Sequence, residues 1–97
     1  MSRIVLSGTI EVPAEILDAV RKELPRHVAA TLAEAGCIVF DVKEVSGAPG
    51  RFAVYEEFSS REAFDAHQQR SAHSPWGMLT VNASRLYSVS DHDAVEK

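Results

Sequence analysis

Two histidines and a tryptophan stand close together in the second half of the chain: His67, His73 and Trp76. An imidazole titrates near neutral pH, so a histidine in a pocket can act as a general base or as a hydrogen-bond partner. A tryptophan supplies a flat apolar wall that suits a planar ring. These residues predict that a small-molecule site, if the protein has one, lies in the stretch from Arg51 to Trp76.

A strand followed at once by a helix is predicted to position these side chains. The strand covers Arg51–Phe58 and alternates, with one face carrying Phe52, Val54 and Phe58 and the other Ala53, Tyr55 and Glu57. The helix runs from about Arg61 to Gln69, with Ser59 or Ser60 as its cap. Helical spacing places one apolar stripe on this helix, formed by Ala63, Phe64 and His67.

Each histidine also has a purely structural interpretation. His67 on the inner stripe is either catalytic or a partly buried side chain that holds the helix through a backbone or carboxylate hydrogen bond. His73 lies six residues further on, which is about 240° around a continuous helix. It meets His67 only if residues 71–75 bend, and is otherwise a surface histidine. Without a third histidine or an inward carboxylate, the pair predicts no metal site.

Other side chains are candidates for the walls of the pocket. The predicted substrate-binding residues are Tyr55, Phe64, Trp76 and His27, the last beside the apolar stripe of the first helix. Three of them have an alternative: Tyr55 in a subunit interface, Phe64 in the core with the other phenylalanines, and Trp76 as a cover of the core. Glu56 and Glu57 are interpreted as strand-end acids, one of them pairing with Arg51 or Arg85.

Length and charge exclude several classes of protein. The 97 residues predict one domain over residues 1–97, with a polar frayed tail at 91–97. The net charge of −4, with scattered basic residues, argues against nucleic-acid binding. We expect neither a membrane-spanning segment nor a signal peptide, and Cys37 is the only cysteine. We therefore expect no internal disulfide, no membrane attachment and a cytoplasmic location.

The remaining elements complete a recognisable order. Strands are predicted over 3–12, 37–45 and 82–90, and a first helix carries an apolar stripe of Ile16, Leu17, Val20, Leu24, Val28 and Leu32. The stripe keeps its phase across Pro25, which predicts one kinked helix that ends at Gly36. A turn at residues 46–50 makes a hairpin, and Ser74-Pro75-Trp76-Gly77 is expected to break regular structure. The order β-α-β-β-α-β predicts an α+β, ferredoxin-like fold, with a four-stranded antiparallel sheet and both helices on one face.

The second face of this sheet is expected to need a cover. Val5, Val39 and Tyr55 would lie on it, and two helices cover only the other face. We therefore predict a homodimer formed through the open sheet face.

Several segments together resemble the antibiotic biosynthesis monooxygenase (ABM) family over roughly Ile4 to Val89. They are Gly36-Cys37, Phe40-Asp41-Val42, Arg51-Phe52, Tyr55-Glu56-Glu57-Phe58, Ser60-x-Glu62-Ala63-Phe64-x-x-His67 and His73. The resemblance implies a ferredoxin-like fold and a dimeric α/β barrel. It also implies an oxidoreductase: a monooxygenase that inserts one oxygen atom from O2 into a quinol or anthrone without a cofactor.

The resemblance suggests roles for the two histidines and leaves other functions open. His67 and His73 are similar to the helix histidine and following histidine of quinol-oxygenase and isomerase-like members, which implies catalytic roles for both. The alternative is a non-catalytic dimeric domain that binds a small molecule or acts in a stress response. Haem binding is less favoured, because Ser7 and Thr9 stand in the first strand where haem-degrading members have an asparagine.

Overall fold

Four antiparallel strands form a single sheet in the computed structural model, which describes residues 2–93. The strands are β1 (Ser2–Glu11), β2 (Cys37–Glu44), β3 (Arg51–Phe58) and β4 (Ser84–Asp93). Their order in the sheet is β2-β3-β1-β4. Within these residues three α-helices complete the fold, α1 (Leu17–Leu32), α2 (Arg61–Ala72) and α3 (Pro75–Leu79), and a 3-10 turn at Ala14–Ile16 leads into α1. The predicted ferredoxin-like α+β fold is confirmed, with α3 as an additional short helix.

The inner face of the sheet carries the core, as the alternation in β1 and β3 predicts. Ile4, Leu6 and Ile10 of β1 are at most 2% exposed. Phe52 and Phe58 of β3 lie beside them across the strand pair, opposite Ile10 and Ile4. Burying such side chains contributes about 1.5–3 kcal/mol each. The core therefore fixes the register of β1 and β3 and, with it, the direction of every side chain along them.

The helix boundaries differ from the prediction. α1 is continuous through Pro25 but ends at Leu32, so the predicted helix end at Gly36 is wrong. Leu32, the last residue of the predicted apolar stripe, is 54% exposed. α2 extends to Ala72. The segment at Pro75 forms α3, because Pro75 occupies the first helical turn, where its missing N–H costs nothing.

The predicted frayed tail is wrong for its first part. Asp91 and His92 belong to β4, where their partners in β1 are Ile4 and Arg3. Residues 94–97 of that predicted tail lie outside the described residues. Within the part of the chain that is described, no helix is long and apolar enough to cross a membrane.

The outer face of the sheet is less apolar than predicted. Val5 and Val39 are partly exposed, Tyr55 is 39% exposed and Leu86 on β4 is 79% exposed. Serines lie between them, because Ser7 pairs with Tyr55 on one side and with Ser88 on the other. The face is thus a mixture of apolar, hydroxyl and charged side chains, the charged ones including Asp41, Lys43 and Glu57.

Candidate active site

A cavity of about 170 Å³ lies between the inner face of the sheet and the three helices. Its walls combine apolar and aromatic groups with a few polar ones, which is typical of small-molecule sites. The lining residues are Ile10, His27, Phe40, Val42, Val54, Glu56, His67, Gln68, Ser71, Trp76, Arg85 and Tyr87. The cavity therefore brings together side chains from α1, α2, α3 and all four strands.

His67 is held in place by the start of its own helix and by the core below it. The Ser60 side chain caps α2 by accepting a hydrogen bond from the Ala63 N–H at 3.0 Å. The imidazole lies with its centroid 4.9 Å from that of the Phe58 ring and 5.5 Å from that of Phe40. Since His67 is only 3% exposed, these rings restrict it to one orientation.

A carboxylate sets the tautomer of His67. Nδ1 of His67 lies 3.0 Å from Oε1 of Glu34, and Arg70 forms an ion pair with the other oxygen of the same carboxylate. Arg70 also donates to the hydroxyl of Thr31 at 3.1 Å. A carboxylate accepts hydrogen bonds, so Nδ1 carries the hydrogen and Nε2 is the acceptor in the neutral ring. Burial lowers the pKa of His67, with Glu34 opposing the shift, so the neutral ring is the stable form near pH 7.

Glu56 faces the other nitrogen of this histidine. Its Oε1 lies 3.9 Å from Nε2 of His67, and the residue is 6% exposed. Among residues 2–93, Oε1 of Glu56 has no hydrogen-bond partner. Burial, and then the nearby Glu34, raise the pKa of Glu56 to about 7. The cavity therefore holds a carboxyl group that changes between its neutral and charged forms near pH 7.

The predicted pairing of Glu56 or Glu57 with Arg51 or Arg85 is wrong. Glu57 pairs with Arg3, Arg51 pairs with Glu11, and Arg85 donates to Thr80. Glu56 instead points inward, between Val54 and Phe58 on β3. The alternation of that strand contains the signal, because position 56 belongs to the same face as its apolar neighbours. Because charged residues usually lie at the surface, Glu56 was interpreted from sequence as a strand-end acid, and its inward position was missed.

His27 and Trp76 form one flat wall. Their rings are stacked, with centroids 4.8 Å apart and planes 7° apart. Burial, with smaller contributions from His67 and Arg70, lowers the pKa of His27 to about 3, so this ring is neutral near pH 7. The His27–Trp76 pair thus presents an uncharged aromatic surface.

The short helix α3 fixes Trp76 against α2. The Ser74 hydroxyl accepts a hydrogen bond from the Gly77 N–H at 3.2 Å and caps α3. A side chain at Gly77 would place its Cβ only 2.1 Å from the carbonyl oxygen of Ser71. Glycine therefore allows α3 to lie directly on the end of α2, and this contact sets the position of the tryptophan.

Strand β4 supplies the remaining polar side of the cavity. Arg85 donates to the backbone oxygen of Thr80 at 3.0 Å and to its hydroxyl at 2.8 Å. Tyr87 lies over Gly8 of the neighbouring strand, where a Cβ would come within 2.9 Å of the tyrosine ring. Burial raises the pKa of Tyr87, so its phenol remains protonated near pH 7. From sequence, Arg85 was considered only as a partner of Glu56 or Glu57, and Tyr87 was not selected.

The structure brings three of the six predicted site residues together: His27, His67 and Trp76 line the cavity. Phe64 is buried but does not line it, since its ring packs edge-on against Phe58 with centroids 5.9 Å apart. Tyr55 lies on the opposite face of the sheet, where its hydroxyl bonds to Glu57.

His73 is not near this cavity. It is exposed at the end of α2, with Nδ1 donating to the backbone oxygen of Gln69 at 2.9 Å. The predicted bend at residues 71–75 begins too late, because α2 continues to Ala72 and turns His73 away from His67. Within residues 2–93, no group of three or more histidine, cysteine or acidic side chains is placed to hold a metal ion.

The fold and cavity define a ferredoxin-like α+β domain with a histidine-lined internal site. The family model of antibiotic biosynthesis monooxygenases matches residues 3–76. The chain therefore belongs to the antibiotic biosynthesis monooxygenase family, as the sequence resemblance implies. No curated protein matches the sequence significantly.

Solved structures support the fold. A Nitrosomonas europaea protein, named provisionally as an antibiotic biosynthesis monooxygenase, superposes with a TM-score of 0.75 at 17% identity, covering 96% of this chain and 90% of its own. A similar protein from Deinococcus radiodurans, also named provisionally, has a TM-score of 0.67 at 23% identity and coverage of 97% and 94%. A Bacteroides thetaiotaomicron protein of unknown function, described as a possible oxidoreductase, has a TM-score of 0.72 at 20% identity, with coverage of 93% and 97%.

Proposed function

We propose that this protein is a cofactor-independent monooxygenase that oxidises a small phenolic ring, in particular a single-ring quinol. One observation carries the proposal: Glu34 holds Nδ1 of His67, which leaves Nε2 as a neutral acceptor facing a cavity with aromatic walls. A buried neutral imidazole oriented by a carboxylate is suited to removing a phenolic proton. Membership of the monooxygenase family supports the same reaction class.

The size of the cavity favours one ring over three. Its volume is about 170 Å³, and an engineered apolar cavity of about 150 Å³ binds benzene. A hydroquinone therefore fits the available space, whereas a tricyclic anthrone is too large for it. Of the two substrate types that the sequence resemblance implies, the quinol is retained.

The proposed reaction uses only the quinol and O2. His67 takes the proton of one hydroxyl, and the resulting phenolate passes one electron to O2, giving a semiquinone radical and superoxide. These two radicals combine at a ring carbon to form a peroxide, which takes up a proton. Loss of the hydrogen on that carbon then breaks the O–O bond and releases water. Hydroquinone and O2 are thus converted into a hydroxyquinone and water.

Oxygen uptake by the purified, metal-free protein tests this proposal. We expect uptake with hydroquinone above the rate in buffer, with a hydroxyquinone as product and little hydrogen peroxide. The His73→Ala variant should keep the wild-type rate, because this side chain lies outside the cavity. Phenols that bind in the absence of oxygen, together with no increase in oxygen uptake with any quinol, would contradict the monooxygenase and favour the alternative of a non-catalytic binding domain. If His73→Ala is inactive, the sequence-based prediction for His73 is restored.

We also propose that the protein forms a homodimer through the outer face of the sheet. Exposed apolar side chains on that face support it, above all Leu86 at 79% exposure and Tyr55 at 39%. A charge buried in such an interface opposes association. Leu86→Lys should therefore shift the protein from dimer to monomer in sedimentation equilibrium, whereas Met78→Lys, on exposed α3, should not. A wild-type monomer at high concentration would contradict the proposal.

A further inference from the structure

Glu56 and His67 present two polar atoms to the cavity with a gap between them. Oε1 of Glu56 and Nε2 of His67 are 3.9 Å apart, which is too far for a direct hydrogen bond. Oε1 of Glu56 is buried and has no partner among residues 2–93. An oxygen atom about 2.8 Å from each of them fits in the gap, with an angle of about 90° at that oxygen. The geometry thus suits one bridging oxygen.

The chemistry of the two atoms specifies what kind of oxygen this is. Nε2 of His67 accepts a hydrogen bond, because Nδ1 donates to Glu34. The Glu56 carboxyl is neutral below about pH 7, so it can donate through its O–H. The bridging group must therefore both accept and donate. A hydroxyl does both, whereas an ether lacks the donor and a carboxylate lacks the hydrogen.

The surrounding charges also disfavour an anionic ligand in the gap. A carboxylate placed there would lie beside Glu56 and near Glu34, whose own charge contributes to the raised pKa of Glu56. The nearest cationic side chains already have partners, since Arg70 pairs with Glu34 and Arg85 donates hydrogen bonds to Thr80. A neutral hydroxyl avoids this repulsion.

We propose that Glu56 and His67 together bind one hydroxyl group of a small aromatic ligand, with Glu56 donating to the hydroxyl oxygen and the hydroxyl donating to Nε2 of His67. The inference rests on the proposed function and names its substrate class more closely. Nε2 of His67 is then the atom that selects phenols over aryl ethers and aryl carboxylates, because it accepts only from a hydroxyl, while the hydrogen bond from Glu56 adds affinity. The stacked pair of His27 and Trp76 supplies the apolar surface for the ring.

Binding without oxygen tests this assignment separately from turnover. Trp76 is the only tryptophan and lines the cavity, so its fluorescence reports the ligand directly. The probes are phenol, anisole and benzoate. We expect the wild type to bind phenol about tenfold or more tightly than anisole or benzoate, as a lost buried hydrogen bond implies.

The variants separate the carboxyl group from the shape of the side chain. Glu56→Leu should weaken phenol binding about tenfold and anisole binding by less, because only a hydroxyl can bridge Glu56 and His67 by accepting from one and donating to the other. Glu56→Gln retains a donor and should stay within about threefold of the wild type. Glu62→Leu, an exposed acid on α2, serves as the matched control and should change neither affinity. Thermal melting of each variant confirms that it is folded.

Two results would overturn the inference: equal phenol affinity in Glu56→Leu and wild type, or no preference of the wild type for phenol over anisole. The second comparison needs no variant, so it decides the matter even if Glu56→Leu fails to fold. If the protein prefers phenol but takes up no oxygen with quinols, the proposed monooxygenase activity is contradicted and the hydroxyl site is not. Quinol turnover that is unchanged in Glu56→Leu contradicts the role of Glu56 alone.

Discussion

Replacing His67 by alanine is expected to lower kcat/KM for quinol oxidation by roughly 10²–10⁴-fold, the usual contribution of a general base. The variant removes the one acceptor nitrogen that Glu34 orients toward the cavity. His67→Gln provides a matched control, because it keeps a polar side chain of similar reach without a basic nitrogen. It should be as inactive as His67→Ala, which distinguishes proton removal from hydrogen bonding. Oxygen-uptake kinetics measure both variants, and a rate within threefold of wild type would remove His67 from the mechanism.

The pH dependence of kcat/KM in the wild type should also depend on the ionisation of His67. His67 must be neutral to accept a proton, and burial lowers its pKa, so the rate should fall only below the ordinary imidazole range. Glu56 must be protonated to donate, so the rate should also fall above its pKa of about 7. A bell-shaped profile of kcat/KM follows, and its two limbs belong to the coupled pair. In Glu56→Gln the upper limb should disappear.

The charged and titratable neighbours of this pair come from every element packed around it. They are His27 of α1, Glu34 of the α1–β2 connection, Cys37 of β2, Arg70 of α2, and Arg85 and Tyr87 of β4. His27 is neutral in this range because its pKa is about 3. Burial raises the pKa values of Cys37 and Tyr87, so neither group should supply the upper limb near pH 7. A profile without an upper limb would contradict the role given to Glu56.

The second large effect is on stability and concerns Phe64. Phe64→Ala is expected to lower the free energy of unfolding by about 3–5 kcal/mol, which is typical of a buried phenylalanine. Phe64 is 6% exposed and packs edge-on against Phe58, which also lies under His67. Since small domains are stable by only about 5–15 kcal/mol, this variant should be marginal. Urea unfolding followed by circular dichroism measures the change.

A conservative variant distinguishes a core residue from a wall of the substrate site. Phe64→Leu should cost less than Phe64→Ala and leave the KM for quinol unchanged, because this side chain does not line the cavity. Met78→Ala, at a position that is 69% exposed, should change the free energy of unfolding by less than about 0.5 kcal/mol. A raised KM with unchanged stability in Phe64→Leu would instead support the sequence-based assignment of Phe64 to the substrate wall.

The sheet could be predicted because its strands follow local rules. The alternation of Phe52, Val54 and Phe58 gives both the extent of β3 and its inner face. The end of β4 could not be predicted in this way. Asp91 and His92 are polar, and they are held by pairing with β1 rather than by burial of their side chains. Hydrogen bonds between backbone groups do not require apolar side chains, so the hydrophobic pattern of the sequence does not show where this pairing ends.

The part of the site that is close together in the sequence could be predicted, whereas the part contributed by distant segments could not. His67 could be found from its place on the inner stripe of α2, and Trp76 from its proximity in sequence. The partner that orients His67 lies 33 residues away at Glu34, on a segment with no motif of its own. His73 was misplaced because Ser74 and Pro75 were interpreted as a bend, although serine followed by proline also favours the start of a helix.

The most direct test is a crystal structure of the protein with 4-bromophenol, grown without oxygen and examined by anomalous scattering from bromine. The ring should lie in the cavity against Trp76, with its hydroxyl oxygen within hydrogen-bond distance of both Nε2 of His67 and Oε1 of Glu56. A saturated crystal with an empty cavity, or with the ring bound only at the surface near His73, would contradict the site described above.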